Sequence, residues 1–452
     1  MRFAALHARW PAAVWLDGAE GGRFSIMSAA PRGQLVSHAG RTRWYPGQVG
    51  GDAPAASAPP VDMGRGDPLA LLESCLGTAS VGDGPFRSGA IGYFSYELGR
   101  RLQGQAPAAT GLPEMAVGLY DWALVLDHVE RRAWLSGRPP DDLSAWLQSA
   151  PGEAPGEWWP TGSISVSPDG DGYARAFARV REYLAAGDCY QVNLARRLRV
   201  PFSGDPLAVY ADFRETAGGP FSAYLDLPGG PILSGSPECF LTLRDGRVET
   251  RPIKGTRARA TDPVRDAALR ADLQTDPKDR AENLMIVDLL RNDLGRVCEV
   301  GSVQVPRLFG LESFVTVHHM VSDVVGRLAS GRTAIDLLRD CLPGGSITGA
   351  PKYRAMEIID ELEEGPRGVY CGAIGYLDND GSMNTSIAIR TMTAREGVLE
   401  YRAGGGLVSD SDCRAEFAET ESKAAAFRRL VAIGAARKAP AQRCVDNDRV
   451  ET

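Results

Sequence analysis

The strongest local constraint in this 452-residue chain is an Asp-Gly pair between two β-prone runs, 231–243 and 248–254. Asp-Gly favours a two-residue type I′ turn, because both central residues must adopt positive φ. With Asp245 and Gly246 in the turn, Arg244 pairs with Arg247, and Glu238 falls opposite Ile253, diagonal to Lys254. Diagonal neighbours lie about 7–8 Å apart, within reach of long side chains. The hairpin therefore brings Ser236-Pro237-Glu238 to Pro252-Ile253-Lys254-Gly255-Thr256, a carboxylate beside an amine. A cross-strand ion pair on a solvated sheet edge is the bland alternative. A nucleophilic lysine must be neutral, and a nearby carboxylate favours the ammonium. Either Glu238 is itself protonated, or desolvation and a nearby cation lower the Lys254 pKa.

Two helices carry spaced carboxylates. Asp276 is a good N-cap, Pro277 suits the first helical position, and Gly295 stops an apolar-faced run. Within it Asp279 and Glu282 stand three apart and share a face. A second helix, expected from about Asp412 to Arg437, places Glu416, Glu419 and Lys423 on one face. Four carboxylates in two such pairs suit a hard octahedral cation that keeps several waters, such as Mg²⁺. Neither helix has His or Cys at metal spacing, which disfavours zinc. Either pair alone also reads as a solvated helix face.

Composition narrows the setting. The net charge is −7 with no strongly basic block, which argues against a nucleic-acid partner. No stretch approaches the roughly 18 apolar residues of a membrane helix, and the opening residues leave no room for a signal peptide. Eight cysteines (Cys75, Cys189, Cys239, Cys298, Cys341, Cys371, Cys413 and Cys444) are scattered without a C-x-x-C pair. They read as reduced thiols of a cytoplasmic protein. Residues 50–62 read as a surface insertion and 150–160 as a linker. The expected organisation is an N-terminal region 1–155, a catalytic region 165–430 and a polar tail 438–452.

The segment Leu342-Pro-Gly-Gly-Ser-Ile-Thr-Gly-Ala-Pro-Lys352 superficially resembles a phosphate loop, but Ala350-Pro351 follows Gly349 where a Walker loop needs Lys. Ser346 and Thr348 still offer N–H groups as a carboxylate cradle at a helix start. Gly404-Gly405-Gly406 reads as a flexible segment or a turn. Arg390 could fork onto a carboxylate. His318 and His319 could be core histidines or functional ones.

Taken together, S-P-E, P-I-K-G-T-R, D-R-A-E-N-L-M-I-V-D-L-L-R-N-D-L-G-R, H-H-M-V-S, P-G-G-S-I-T-G-A-P-K, C-G-A-I-G-Y, T-S-I-A-I-R-T, and A-G-G-G with E-F-A-E-T-x-x-K resemble the chorismate-utilising enzymes. The resemblance is close over 165–430. It is looser through Gly92-Tyr93-Phe94 and Arg23-Phe24-Ser25-Ile26. It implies an α+β fold with two antiparallel β-sheets packed as a sandwich and helices outside. Anthranilate-forming members typically read P-I-A-G-T. Lys254 in P-I-K-G-T resembles the members that make 4-amino-4-deoxychorismate on the route to 4-aminobenzoate and folate.

The resemblance further implies roles. Lys254 would be the nucleophile and Glu238 the general acid. Glu282 and Glu419 would ligate Mg²⁺ directly, with Asp279 and Glu416 acting through waters. Arg390, Tyr370 and Gly404–Gly406 would hold the enolpyruvyl carboxylate of chorismate. Gln191 marks an amino-transferring member, and Gly255, Thr256, His319 and Lys423 would line the pocket. Ammonia would come from a separate glutamine amidotransferase subunit. Anthranilate synthase component I, or another chorismate-using enzyme, is the alternative. Some relatives carry a tryptophan site near the N-terminal sheet. Trp15-Leu16-Asp17 departs from their L-L-E-S-type run.

Overall fold

The turn forms as expected. Asp245 and Gly246 adopt φ of +52° and +73°, and Arg244 faces Arg247. The computed structural model describes residues 2–18, 21–47, 59–78, 84–106, 111–149, 152, 154–315 and 317–438. Most of the 50–62 insertion, part of the linker, Cys444 and the tail beyond 438 lie outside them.

The register beyond the turn departs from expectation. Thr242 still faces Glu249, but Cys239 faces Arg251, so a bulge adds one residue to the strand Cys239–Arg244. Continued to Glu238, that register meets Pro252 instead of Ile253. Proline has no N–H for a ladder, and the strand Arg247–Arg251 ends before it. Lys254 sits on a separate strand, Ile253–Ala258, which pairs with Val317–Arg327. The expected diagonal Glu238–Lys254 pairing is therefore replaced by a meeting of two strand ends.

Among the described residues, two antiparallel sheets of 12 strands each form the body of the fold. The first runs from Trp158–Pro160 through the long Gln191–Gly204, Val398–Leu407 and Ile232–Ser236 to the N-terminal Val14–Asp17 and Phe24–Ser28, and ends at Arg132–Gly137. The second runs from Ile253–Ala258 through Cys239–Arg244, Met383–Ile387 and Gly89–Phe94 to Val61–Gly64. Strands from before and after residue 160 thus share both sheets.

Among the described residues, buried apolar side chains divide into three cores. Val14, Ile26 and Ile232 of the first sheet meet Val36, Tyr93 and Ile374 of the second in a core between them. On the outer face of the first sheet pack helices Arg2–Arg9, Pro206–Ala217 and Cys413–Lys438. The helices Pro277–Gly295, Ala334–Cys341 and Lys352–Leu362 close the third core. This is the α+β sandwich with outer helices that the motifs imply.

A buried ion network ties these layers together under the motif-bearing segments. Arg367 donates to both oxygens of Glu363, at 2.9 and 2.6 Å, to the Ile347 carbonyl at 3.0 Å and to the Asn193 carbonyl at 3.0 Å. Both side chains are 2% exposed. Removing one partner leaves a buried charge uncompensated, which typically costs about 3–5 kcal/mol. Arg367→Gln is expected to lower unfolding free energy by about that amount, read by urea denaturation. A wild-type transition in that variant would mean that Arg402, 3.7 Å from Glu363, suffices alone.

Candidate active site

Both carboxylate-bearing helices begin as their sequences dictate. Asp276 caps Pro277–Gly295 by accepting from the Asp279 N–H at 3.0 Å. Asp412 accepts from the N–H groups of Arg414 and Ala415 to open Cys413–Lys438. The caps fix helix phase, and phase aims the carboxylates.

Lys254 is held by Glu282, not by Glu238. Its Nζ lies 2.8 Å from Glu282 Oε1 and 3.3 Å from the Ser346 carbonyl. Burial alone would lower the Lys254 pKa, but Glu282, with Glu238 and Glu419, outweighs it and the net shift is upward. Burial likewise opposes ionisation of Glu282, and Lys254 overrides it, so that carboxyl titrates below its ordinary range. Glu238 differs. It is 5% exposed, and burial pushes its pKa up to about 7 against the pull of Ser346, Lys254 and Lys423. Glu238 is thus the carboxyl suited to hold a proton near neutrality, Glu282 is the ionised partner, and Lys254 beside it favours the ammonium.

The glycine run is not a turn. Gly404, Gly405 and Gly406 lie within the strand Val398–Leu407 and face Ala195, Leu194 and Asn193. The missing side chains of Gly405 and Gly406 make room for polar groups. A Cβ on Gly406 would stand 2.2 Å from Gln191 Nε2 and 3.1 Å from Glu282 Oε1. One on Gly405 would stand 3.3 Å from Glu419 Oε1 and 3.5 Å from Glu416 Oε2. Glu282 of one helix and Glu416 and Glu419 of the other therefore converge on two adjacent glycines. Gln191 is fully buried, donates to Glu282 Oε1 at 2.8 Å, and leaves its own Oε1 without a hydrogen bond. Lys423 donates to the Gly404 carbonyl at 2.9 Å and pairs with Glu419 at 2.7 Å.

Asp279 stands apart from this convergence. It pairs with Arg257 at 2.9 Å and packs against Gly255, whose φ is +80° and where a Cβ would meet Asp279 Cγ at 2.9 Å. Glu416 accepts from the Ser411 hydroxyl at 2.7 Å and pairs with Lys278 at 3.4 Å. Each of the four carboxylates thus has a cationic partner. Among the described residues no three Asp, Glu, His or Cys side chains form a closed metal cluster. The charged donors at Gly405-Gly406 are carboxylates, with the Gln191 amide beside them, a set that suits a hard cation retaining waters.

Around the lysine, Thr256 Oγ1 lies 2.8 Å from His319 Nδ1. Burial and the nearby Arg390 hold His319 down at about 4, so it is neutral. His318 has a structural place, its ring nitrogens 2.7 Å from Ser313 Oγ and 3.1 Å from Asp266. Arg390 follows the strand Met383–Ile387 with a φ of +49°, a strained conformation for a side-chain-bearing residue. Arg390 is half-buried, and among the described residues its guanidinium has no hydrogen-bond or ion-pair partner, which suits it to an anionic ligand group. Tyr370 is half-buried, its ring 5.8 Å from the Arg367 guanidinium carbon.

The Leu342–Lys352 segment was legible as special, but its part differs from the expected cradle. Gly345–Ile347 forms a short 3₁₀ turn, and the helix proper starts only at Lys352. The Thr348 N–H is spent on the Gly345 carbonyl. What the segment contributes instead is the Ser346 side chain, whose hydroxyl donates to Glu238 Oε1 at 2.8 Å. A separate cavity of about 410 Å³ lies between the sheets, lined by residues including Leu16, Asp17, Phe24, Pro220, Cys239 and Tyr376. Neither Lys254 nor any of the four carboxylates lines it.

The chorismate binding enzyme family model matches residues 16–429, and the chain belongs to that family. It is 46% identical over 410 residues to aminodeoxychorismate synthase component 1 of Klebsiella aerogenes, covering 89% of this chain and 88% of that one. With the Escherichia coli (strain K12) protein of the same name, identity is 47% over 366 residues, 79% and 81% of the two chains. The crystal structure of anthranilate synthase component I from Streptococcus pneumoniae TIGR4 superposes with a TM-score of 0.73 at 32% identity, covering 89% of this chain and 92% of that one.

Proposed function

We propose that this chain is the chorismate-aminating component of an aminodeoxychorismate synthase, converting chorismate and ammonia to 4-amino-4-deoxychorismate. The observation that carries the reading is the pairing of an acid and an amine across one residue: Ser346 touches Glu238 through its hydroxyl and Lys254 through its carbonyl. Anthranilate-forming relatives that read P-I-A-G-T have no such amine.

In this reading Lys254, held as the ammonium in the free chain, loses a proton to water and then attacks C2 of chorismate as the free amine. The ring double bonds shift and the C4 hydroxyl leaves. Glu238 gives its proton to that hydroxyl, which departs as water. Ammonia then adds at C4, the double bonds shift back, and the Lys254 nitrogen is expelled from C2. The sum is chorismate plus ammonia to aminodeoxychorismate plus water, with the enolpyruvyl group retained and no pyruvate released. The unpartnered Arg390, with Tyr370 and the Gly404–Gly406 strand, receives the enolpyruvyl carboxylate. Neutral His319, Thr256, Gly255 and Lys423 complete the wall. Glu282 and Glu419 would hold Mg²⁺, with Glu416 and Asp279 acting through waters, and the ion when bound neutralises the ring carboxylate.

Ammonia is supplied by a separate glutamine amidotransferase subunit, consistent with relatives named component 1. No helix among the described residues is long and apolar enough to cross a membrane, and the cytoplasm is the proposed location.

The test is product identification by mass spectrometry. The pure protein is incubated with chorismate, Mg²⁺ and an ammonium salt, then with glutamine and an amidotransferase partner. Aminodeoxychorismate is the expected main product. Anthranilate with pyruvate as the main product would transfer the chain to the alternative reading.

A further inference from the structure

Glu238 has two oxygens, and an acid that delivers one proton to one departing hydroxyl must hold that proton on a defined oxygen. Rotation of a carboxyl without a fixed partner would spread the proton over both. Ser346 is the group that breaks this symmetry. Its Oγ lies 2.8 Å from Glu238 Oε1, and the two side chains are 6% and 5% exposed, so water does not compete for the contact. The same residue is anchored from two sides. Its carbonyl accepts from Lys254 and from the Asn193 side-chain amide at 3.4 Å, and the next carbonyl, of Ile347, accepts from buried Arg367.

We propose that Ser346 is a positioning residue for the acid step: its hydroxyl donates to Oε1 of Glu238, makes that oxygen the acceptor, and leaves the carboxyl proton on Oε2. This rests on the proposed function and deepens it.

The electrostatics around Glu238 agree in sign. It is faced by Lys254 from the strand Ile253–Ala258, by Lys423 from the helix Cys413–Lys438 and by the backbone N–H of Ile253. The neighbouring Cys239 thiol is pushed up to about 11 by burial and is neutral. Each cation and donor favours the carboxylate, and burial opposes them all. A serine that donates belongs to the first group, so its loss must raise the Glu238 pKa. A serine that accepted from the acid would stabilise the protonated form, and its loss would lower the pKa. The sign of the change therefore reports who donates.

The test compares Ser346→Ala and Ser346→Thr in the full chain with chorismate, Mg²⁺ and ammonium. In S346A, kcat is expected to fall roughly ten-fold or more with little change in KM, and the alkaline limb of kcat/KM to move up by about one unit. S346T, which restores a hydroxyl, is expected to bring both back toward wild type. A second readout needs no turnover. In substrate-free protein at pH 6, the infrared carbonyl stretch of protonated Glu238, assigned by its loss in Glu238→Gln, is expected to rise in frequency in S346A because Oε1 has lost its donor. A limb that stays in place or moves down, or an unmoved band in folded S346A, overturns the proposal. The infrared result does not depend on which product forms, so a failed product assignment and a failed role for Ser346 remain distinguishable.

Discussion

Lys254→Ala is expected to lower aminodeoxychorismate formation by on the order of 10³-fold or more, because it deletes the nucleophile and not a mere binding contact. The substitution acts on one arm of the proposed reaction. Addition of ammonia directly at C2 needs no lysine, so anthranilate-type chemistry should persist at a low rate while amination at C4 collapses. Intact-protein mass spectrometry supplies a second readout. With chorismate present and ammonia withheld, the wild-type chain should gain the mass of chorismate less one water, and the variant should gain nothing. The loss is not expected to come from unfolding. Glu282 keeps the Gln191 amide at 2.8 Å, and the coulombic attraction of Lys423 remains. A variant that retains wild-type C4 amination would remove the covalent step.

What was legible in the sequence was what local chemistry decides. Asp245-Gly246 sets the turn through its own backbone preferences, and Asp276 and Pro277 start their helix without help from distant residues. The three- and four-residue spacing of Glu416, Glu419 and Lys423 puts them on one face wherever the helix goes. The long-range terms were not legible. The bulge between Cys239 and Thr242 arises where the strand pairs on both sides, with Arg247–Arg251 and with Met383–Ile387, and both registers shift there. No property of the residues 239–242 announces it. Gly404–Gly406 reads as flexible by composition, yet it is clamped by the 14-residue strand Gln191–Gly204. Gly405 and Gly406 are needed there because carboxylates and an amide occupy the space of their side chains, and Gly404 because its strand lies tight against Leu194 and Ala195. The contact of Ser346 with Glu238 spans 108 residues, and the assignment of Glu282 as the lysine's counter-ion depends on how a helix docks on a strand end. The resemblance to a family supplied the grouping of these residues. The structure supplied which one holds which.

That assignment gives Glu282 two duties, and Glu282→Ala should expose both. As a ligand, its loss should abolish Mg²⁺-dependent activity: at Mg²⁺ concentrations that saturate the wild type, the variant should remain at least about 10³-fold slower. Calorimetric titration with Mg²⁺ in the absence of substrate reads the same loss without turnover. As a counter-ion, its removal leaves Lys254 buried with less opposing charge. Burial is the largest influence on that amine and works downward, whereas Glu282 is the largest upward one, so the Lys254 pKa should fall. The variant should therefore carry a more readily deprotonated nucleophile and still be inactive. Glu282→Gln separates the duties further, because the amide can still hydrogen-bond but carries no charge for a cation. If instead Glu282→Ala titrates Mg²⁺ like the wild type, the ion belongs elsewhere, and Glu282 serves only to hold Lys254 in place.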